Sequence, residues 1–411
     1  MKVNRTEQIW INKTDNLSKS AHFSKNLYNK ANYIIRQEFF ATRRWTRYGE
    51  LNNILKDSEE YKSLPAQTSQ GILKLLDKSW KSFFKAIKEW RKDPDKFLGR
   101  PGLPHYKEKD GEHILVFTNQ QCMIKDRILR FPKLINMEVK TGLEDIDLRE
   151  VRIVPEGTGY EVEVVYKKEI NDIIALRPDR ILGIDIGVRN LVTIGNNISE
   201  DGIAVRAGLL KSINQFYNKE NGRLRSINDL QGDKRKMTER LKRLITKRNR
   251  RIKEIMHEIS KSIVEYAKSM NIDTIVIGHN DGWKQSTGMG RRNNQNFVEL
   301  PFNVLINQIK YKAEENGINV IMQEESHTSK CSFLDNESIE HHDSYTGKRT
   351  RRGIFRSGSG TLIHADLNAS YNIIKKAVPE AFANGIEGIG LYPRSLSIPQ
   401  FCEMITSKDG C

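Results

Sequence analysis

Two aspartates in contrasting settings are the residues of this chain best placed to do chemistry. Asp185 lies in an apolar, strand-forming run, Ile181-Leu182-Gly183-Ile184-Asp185-Ile186-Gly187, where Gly187 leaves room for backbone or a cation to approach. Asp366 stands at the head of a helix-forming run, His364-Ala365-Asp366-Leu367-Asn368-Ala369-Ser370. Divalent cations such as Mg²⁺ prefer oxygen ligands, and phosphodiester hydrolysis with two ions needs several carboxylates at one spot to neutralise charge on the attacking and leaving oxygens. Each aspartate also has a plainer reading, Asp366 as a helix N-cap and Asp185 as the end of a strand at a turn. Together in a basic chain they point to a metal site and to a metal-dependent nuclease.

The basic balance is large. The 411 residues carry 68 Lys and Arg against 52 Asp and Glu, a formal charge of +16. Such an excess attracts polyanions by counterion release and steering, so nucleic acid is the expected partner. The length suits about two or three domains. No apolar run approaches the roughly 20 residues of a membrane helix, and the first residues, Met1-Lys2-Val3-Asn4-Arg5, lead into polar sequence rather than a signal-peptide core; a cytoplasmic protein with no membrane partner is expected. Cys122, Cys331, Cys402 and Cys411 are scattered and form no CxxC pair, so reduced thiols are the default.

Stepping along the chain, residues 7–12 read as a strand and 18–40 as a helix with Phe23, Leu27, Ala31, Ile34, Ile35 and Phe39 at helical spacing. A second helix follows Pro65. Its stripe, Ile72, Leu75, Leu76, Trp80, Phe83, Phe84, Ile87 and Trp90, reads as packing rather than as a platform for stacking nucleotides, and lysines surround it. Residues 97–107 are punctuated by Gly and Pro and mark a boundary; Arg100, His105, Lys107 and Lys109 there read either as a solvated loop or as phosphate contacts. Short β-type runs at 114–117, 123–131, 151–154 and 160–166 predict a small barrel or sandwich.

Residues 181–186, 191–194 and 202–207 predict a sheet meander, and 209–270 a basic helical stretch. Residues 242–253 hold seven cations, Lys242, Arg243, Lys247, Arg248, Arg250, Arg251 and Lys253, over a thin apolar stripe, which favours a phosphate track. A strand at 273–278, a helix at 301–316 and a strand at 318–322 imply a parallel crossover. Irregular polar sequence fills 326–360, a last helix runs from about Ala365 to Pro379, and the tail from Asn384 is expected to pack loosely or fray. A strand delivering an aspartate into a glycine, joined by a late aspartate opening a helix, is the pattern of RNase H-like folds.

The order of motifs adds to this. Gly183-Ile184-Asp185-Ile186-Gly187, Arg250-Arg251-Ile252 with His257 and Ile263-Val264, Tyr311-Lys312-Ala313 and Gly317, Thr328-Ser329 with Cys331, and Ala365-Asp366-Leu367-Asn368-Ala369 together resemble TnpB, the transposon-encoded RNA-guided nuclease related to type V CRISPR effectors. Residues 99–107 are similar to the basic stretch before that family's β-barrel. The resemblance implies a multidomain α+β architecture. The first strand of a wedge-type barrel would occupy 1–17, a helical recognition lobe 18–95 and the rest of the barrel 96–172. A RuvC-like, RNase H-like α/β domain would follow at 173–326, with a zinc-ribbon-like insertion at 327–360, the domain's last helix at 361–380 and a tail at 381–411. It further implies a guide RNA from the transposon end, double-stranded target DNA, and cleavage of DNA paired to the guide.

Two departures stand out. The strand ending at Gly278 lacks the second catalytic acid of the family and continues as His279-Asn280, whereas Glu324-Glu325 replace the aspartate-proline pair usual before Thr328-Ser329. A neighbouring strand tip is displaced by only about 4.8 Å, a gap a glutamate side chain spans. Glu325 is therefore expected to replace the lost acid, with Glu324 as its substitute, and a bare Gly278 would open room for it. The catalytic and metal-binding set is Asp185, Glu325 and Asp366, taking two Mg²⁺ ions with Mn²⁺ as an alternative; both glutamates lying exposed beside a dead site is the plainer reading. In the insertion, relatives carry two CxxC pairs for zinc, but only Cys331 remains and the later knuckle reads Phe355-Arg356-Ser357-Gly358-Ser359-Gly360. Four ligands are wanting, and His341 and His342 are adjacent, so no structural zinc is expected. Arg349, Arg351, Arg352 and Arg356 would hold this segment on nucleic acid. Arg100, Lys107, the cations Lys242, Arg243, Lys247, Arg248, Arg250 and Arg251, and Arg351 and Arg352 are the nucleic-acid-binding candidates. The favoured function is an RNA-guided DNA endonuclease; the alternatives are a nuclease-dead RNA-guided repressor and an RNase H-fold transposase.

Overall fold

A computed structural model describes residues 1–170, 178–232, 237–280, 300–383, 385 and 388–407. The chain divides into two compact units, residues 2–169 and residues 170–411 together with Met1.

In the first unit, strand β1 (Lys2–Asn12) leads into helix α1 (Asp15–Thr42), which the Thr14 side chain caps by accepting from the Leu17 amide. Two short helices, α2 (Tyr48–Leu55) and α3 (Glu59–Lys62), precede the long α4 (Ala66–Lys92), whose N-cap is Pro65. The strands are β2 (Leu115–Thr118), β3 (Met123–Lys125), β4 (Ile128–Arg130), β5 (Glu138–Lys140), β6 (Asp147–Glu156) and β7 (Gly159–Glu169). They form an antiparallel sheet in the order β1-β7-β6-β2 and a small separate sheet β3-β4-β5.

This corrects the expected barrel, because among the described strands β1 and β2 remain unjoined edges and no barrel closes. The run 123–131, which the sequence suggests is one strand, is a hairpin folded at Asp126 and Arg127, both in the left-handed region with φ 54° and 58°. A two-residue turn of that kind suits tightly twisted strands. The resulting three-residue strands pair only among themselves, so no ladder is left to close the larger sheet. Leu27, Ala31 and Ile35 of α1, Ile72, Leu73, Leu76 and Trp80 of α4, and Phe117, Val151, Ile153, Val162 and Val164 of the sheet share one buried core. Across it, the Trp80 indole donates to Asn32 Oδ1 at 3.1 Å.

The second unit is built on a six-stranded sheet. Strands β8 (Ile181–Ile186), β9 (Asn190–Asn196) and β10 (Ile203–Arg206) form the antiparallel meander, followed by helices α5 (Gly208–Leu230) and α6 (Glu239–Ser269). Strand β11 (Thr274–Gly278) lies parallel to β8, and helix α7 (Phe302–Glu315) crosses over to β12 (Asn319–Gln323), parallel to β11. The insertion is not wholly irregular: β13 (Lys348–Arg351), β14 (Ile354–Arg356) and β15 (Leu362–His364) make a three-stranded sheet. Helix α8 (Ala365–Ala377) begins on the residue after β15. The last elements are β16 (Arg394–Ser397) and α9 (Ile398–Thr406), and the full strand order is β12-β11-β8-β9-β10-β16.

The tail therefore does not fray over residues 394–406. Strand β16 pairs in parallel with β10, Ser397 and Gln400 form a reciprocal cap on α9, and Ile398, Phe401 and Ile405 bury one apolar face in the main core. Residues 233–236 of the expected helical stretch, and Asn384 and residues 386–387 and 408–411 of the tail, lie outside the described residues. Among the described residues no helix is long and apolar enough to cross a membrane.

Candidate metal centre

Sheet register and one close helix approach position the acids. Ile184 on β8 pairs with Ile277 on β11, and Gly278 on β11 pairs with Gln323 on β12, so Asp185 and the residues after Gln323 emerge at one end of three adjacent parallel strands. Helix α8 lies directly on β8 and β9 because their facing partners Gly183 and Gly195 have no side chains. A Cβ at 183 would stand 2.6 Å from the Ser370 carbonyl oxygen and from Ile374 Cγ1, and one at 195 would stand 2.5 Å from Ser370 Oγ. That contact brings the first turn of α8, with Asp366, down to the strand ends.

Asp185 and Asp366 line one cavity of about 250 Å³ with Asn190, His364, Arg189, Arg349 and Arg352. Asn190 donates its side-chain amide to Asp366 Oδ2 at 3.0 Å, and Arg349 reaches Asp366 Oδ1 at 3.4 Å. Burial raises the Asp185 carboxyl well above the ordinary aspartate range; the nearby carboxylates of Asp366 and Glu325 raise it further, and Arg349 opposes them. Burial, with Arg189 and Arg349, holds His364 below the ordinary imidazole value against the pull of Asp366.

Glu325 occupies the vacancy at Gly278. A Cβ built at 278 collides with Glu325 Oε1 and lies 2.9 Å from Glu325 Cγ and 2.6 Å from Ile373 Cδ1. The Glu325 amide donates to Asn280 Oδ1 at 3.1 Å, the Asn280 amide faces Oε2 at 3.4 Å, and Oε1 is buried without a hydrogen-bond partner. Burial, then the charge of Glu324, pushes the Glu325 carboxyl up to about 7. Glu324 points elsewhere: its carboxylate takes a bond from Lys376 Nζ at 2.7 Å and another from the Ser326 hydroxyl, and these hold it down to about 2.

A divalent cation fits this donor set. Asp366 and Glu325 raise the proton affinity of buried Asp185, and Glu325 keeps a buried oxygen with no donor, so a bound cation would remove both costs. Among the described residues, however, no three His, Cys, Asp or Glu side chains already stand at ligand-cage spacing.

Zinc does not fit the insertion. Cys331 is buried with its thiol 3.7 Å from the Glu340 carbonyl oxygen, and His342 Nε2 is 2.8 Å from the Ser338 carbonyl. The two knuckles are joined instead by carboxylates. Asp335 accepts from Ser332 Oγ and the Gly358 amide, each at 2.5 Å, and from the Ser359 amide at 3.2 Å; Glu337 accepts from the amides of Ser332 at 2.6 Å and Thr346 at 2.7 Å. The amides of Gly358 and Ser359, in the segment where the resemblance would have the later thiols, thus meet the Asp335 carboxylate.

The cationic candidates separate into groups. Arg243, Lys247, Arg250 and Arg251 are exposed along α6, Lys242 pairs with Glu239, and Arg248 is drawn onto α5, donating to Asn214 Oδ1 at 2.9 Å and lying 5.5 Å over the Tyr217 ring. In the first unit Arg100 lies 5.9 Å over Trp90 and Lys107 5.1 Å over Tyr28. Arg352 joins the acidic cavity; Arg351 is exposed on β13 and is not part of its lining. Sequence reasoning did not single out Arg189, Asn190 or Asn280 as site residues. The one available signal was position, since each lies within five residues of Asp185 or two of Gly278.

A sequence profile for a family described as "Probable transposase" (OrfB_IS605) matches residues 164–284, and one for the Cas12f1-like TNB domain matches residues 302–373. The TnpB-like protein ORF457 of Acidianus two-tailed virus is 26% identical over 400 residues, covering 88% of this chain and 83% of the relative. Among solved structures, a Cas12f1–sgRNA–target DNA complex aligns with 90% of this chain and 98% of its own at 13% identity and a TM-score of 0.48. The mini-RNA-guided endonuclease CRISPR-Cas_phi3 aligns with 92% of each chain at 11% identity and a TM-score of 0.47.

Proposed function

The chain belongs to the TnpB family, and from that premise we propose that it is an RNA-guided DNA endonuclease, hydrolysing phosphodiester bonds in double-stranded DNA matched to a guide RNA. The observation that carries this reading is the Glu325 carboxylate filling the space left by Gly278, beside Asp185. The strand order, a meander extended by two parallel strands with a helix laid on its first two, supports an RNase H-like (RuvC) identity for the second unit.

In this reading Asp185, Glu325 and Asp366 hold two Mg²⁺ ions, with Mn²⁺ as an alternative. Bound there, the ions neutralise charge developing on the attacking and leaving oxygens of the phosphodiester. The chain's own groups prepare the site. Asn190 fixes the orientation of Asp366, and Asn280 holds the backbone that carries Glu325. Arg189, Arg349 and Arg352 give the cavity a cationic wall suited to a phosphate. Guide pairing supplies sequence discrimination, while exposed cations such as Arg243, Lys247 and Arg250 grip backbone. The insertion requires no zinc in this reading.

The test is to sequence RNA that copurifies with the protein and then to challenge the complex with matched DNA and Mg²⁺. Cleavage that disappears in Asp185→Ala, with DNA binding retained, is the expected result. Absence of any discrete RNA would overturn the guided reading. A second reading, guided DNA binding without cleavage, is favoured by the missing acid at position 278. It predicts retained binding and no cut product at any Mg²⁺ concentration.

A further inference from the structure

The aromatic stripe of α4 changes character along its length. Ile72, Leu73, Leu76 and Trp80 are completely buried, and packing accounts for them. Past Trp80 the stripe runs out from under its cover. Phe83 and Phe84 are only half-buried, and with Phe39 and Phe40 at the end of α1 they floor a cavity of about 700 Å³ closed on its far side by residues 100–103. Phe83 and Phe84 have ring centroids 5.2 Å apart, Phe39 and Phe84 5.7 Å, and Phe40 is 54% exposed. The volume lies within the roughly 300–1,000 Å³ usual for small-ligand sites.

The rim determines what the cavity suits. Arg43, Lys88, Arg91 and Arg100 all border it, no acidic side chain does, and among the described residues none of the four forms an ion pair. The acids that flank Lys88 and Arg91 in sequence are engaged by other lysines, Glu89 with Lys92 and Asp93 with Lys96. An apolar peptide has no use for four unpaired cations. An aromatic floor under a cationic rim matches a planar base flanked by phosphates, since stacking tolerates any base and the rim attracts the backbone on either side.

We propose that this cavity takes the unpaired base of a single nucleic-acid strand, stacked on Phe83, Phe84 and Phe40 with its neighbouring phosphates on Arg43, Lys88, Arg91 and Arg100. The proposal rests on the nucleic-acid reading above and deepens it: a paired duplex region cannot enter, so the site would seize a nucleotide left outside pairing. RNA and DNA present the same chemistry here.

The test uses the full chain, cleared of copurified nucleic acid, with single-stranded RNA and DNA oligonucleotides carrying one 2-aminopurine, and with matched oligonucleotides carrying an abasic residue at that position. The parent should change the probe's fluorescence and bind the base-bearing strand about 10-fold more tightly than the abasic one. Phe40→Ala with Phe83→Ala should abolish both differences while leaving duplex binding unchanged, and Phe40→Tyr should retain them. Arg43→Gln with Arg91→Gln, substitutions at exposed positions, should keep the fluorescence change but lower the slope of log affinity against log salt by about 1.4. The RNA and DNA arms identify the strand. Equal affinity of the parent for base-bearing and abasic strands would overturn the proposal, as would self-association of the chain that the phenylalanine variants abolish. Guided cleavage is assayed separately, so stacking without cleavage, or cleavage without stacking, shows which of the two readings fails.

Discussion

Replacing Gly278 by alanine should disable cleavage without touching any carboxylate. The added Cβ would stand 2.9 Å from Glu325 Cγ and collide with its Oε1. Carbon atoms rest at roughly 3.5–4.0 Å, so the glutamate side chain must retreat by about 1 Å. A displacement of about 1 Å at reacting groups costs on the order of 100-fold in rate, about 2.7 kcal/mol of barrier. Overpacking a buried site also costs about 1–3 kcal/mol of stability. The assay is single-turnover cleavage of guide-matched DNA in Mg²⁺, with DNA affinity as the control. Cleavage should fall about 100-fold while affinity holds. A stability cycle isolates the cause: the penalty of Gly278→Ala should shrink by about 1 kcal/mol or more when Glu325 is also alanine, because two of the three nearest atoms, Oε1 and Cγ of Glu325, are then gone. Gly278→Glu with Glu325→Ala should cleave faster than Glu325→Ala alone, since it returns a carboxylate to the same volume. Parental cleavage by Gly278→Ala, or an undiminished penalty in the cycle, would refute the assignment of that space to Glu325.

Glu324→Gln should leave cleavage within about twofold of the parent, since that side chain is held outward by Lys376; a loss comparable to Glu325→Gln, measured in the same assay, would contradict its placement. Glu325 has a folded-state pKa raised to about 7, so the stability of its protonated form is complete below the ordinary glutamate value and is lost as pH rises through 7. Metal-stripped Glu325→Gln should therefore be more stable than the parent by up to about 3 kcal/mol at pH 8, and equal to it near pH 4, in urea titrations. Asp335→Ala should destabilise the insertion by about 2–3 kcal/mol, read by hydrogen exchange at residues 332–361, while zinc chelators leave the parent unchanged. Burial works against the ionised Asp335, but bonds from Ser332, Gly358 and Ser359 hold its carboxyl below the usual aspartate range, so its contribution is present above that range and lost as pH falls through it. Phe401→Ala should cost about 3–5 kcal/mol in thermal or chemical unfolding, because the last helix is core rather than tail.

Much of the second unit was legible in sequence because its central strands β8, β9 and β11 are buried on both faces. The runs at 181–186 and 274–278 are apolar but for Asp185 and Thr274, and a glycine follows the first and ends the second, a pattern few other elements share. The turn at Asp126-Arg127 was invisible because neither residue is the Gly or Asn that advertises a left-handed turn. Helix α9 was missed because its buried face rests on three residues, Ile398, Phe401 and Ile405, too few to show a period. At the acidic cavity, the settings of Asp185 and Asp366 marked them before any coordinates. Asn190, Asn280 and Arg349 carry no comparable mark. Their roles come from where loops end in space, which a polar residue's type does not disclose.

The junction between β15 and α8 has a mechanical consequence. His364 closes the strand and Ala365 opens the helix, with the Ala365 amide donating to the Gly353 carbonyl of the same hairpin. No slack separates the arginine-bearing hairpin from Asp366. In the proposed reading, a strand of nucleic acid that tugs on Arg352 would pull on Asp366 through Gly353, its hydrogen bond to the Ala365 amide and the peptide bond that follows, so that cargo seating and acid alignment would be one motion rather than two.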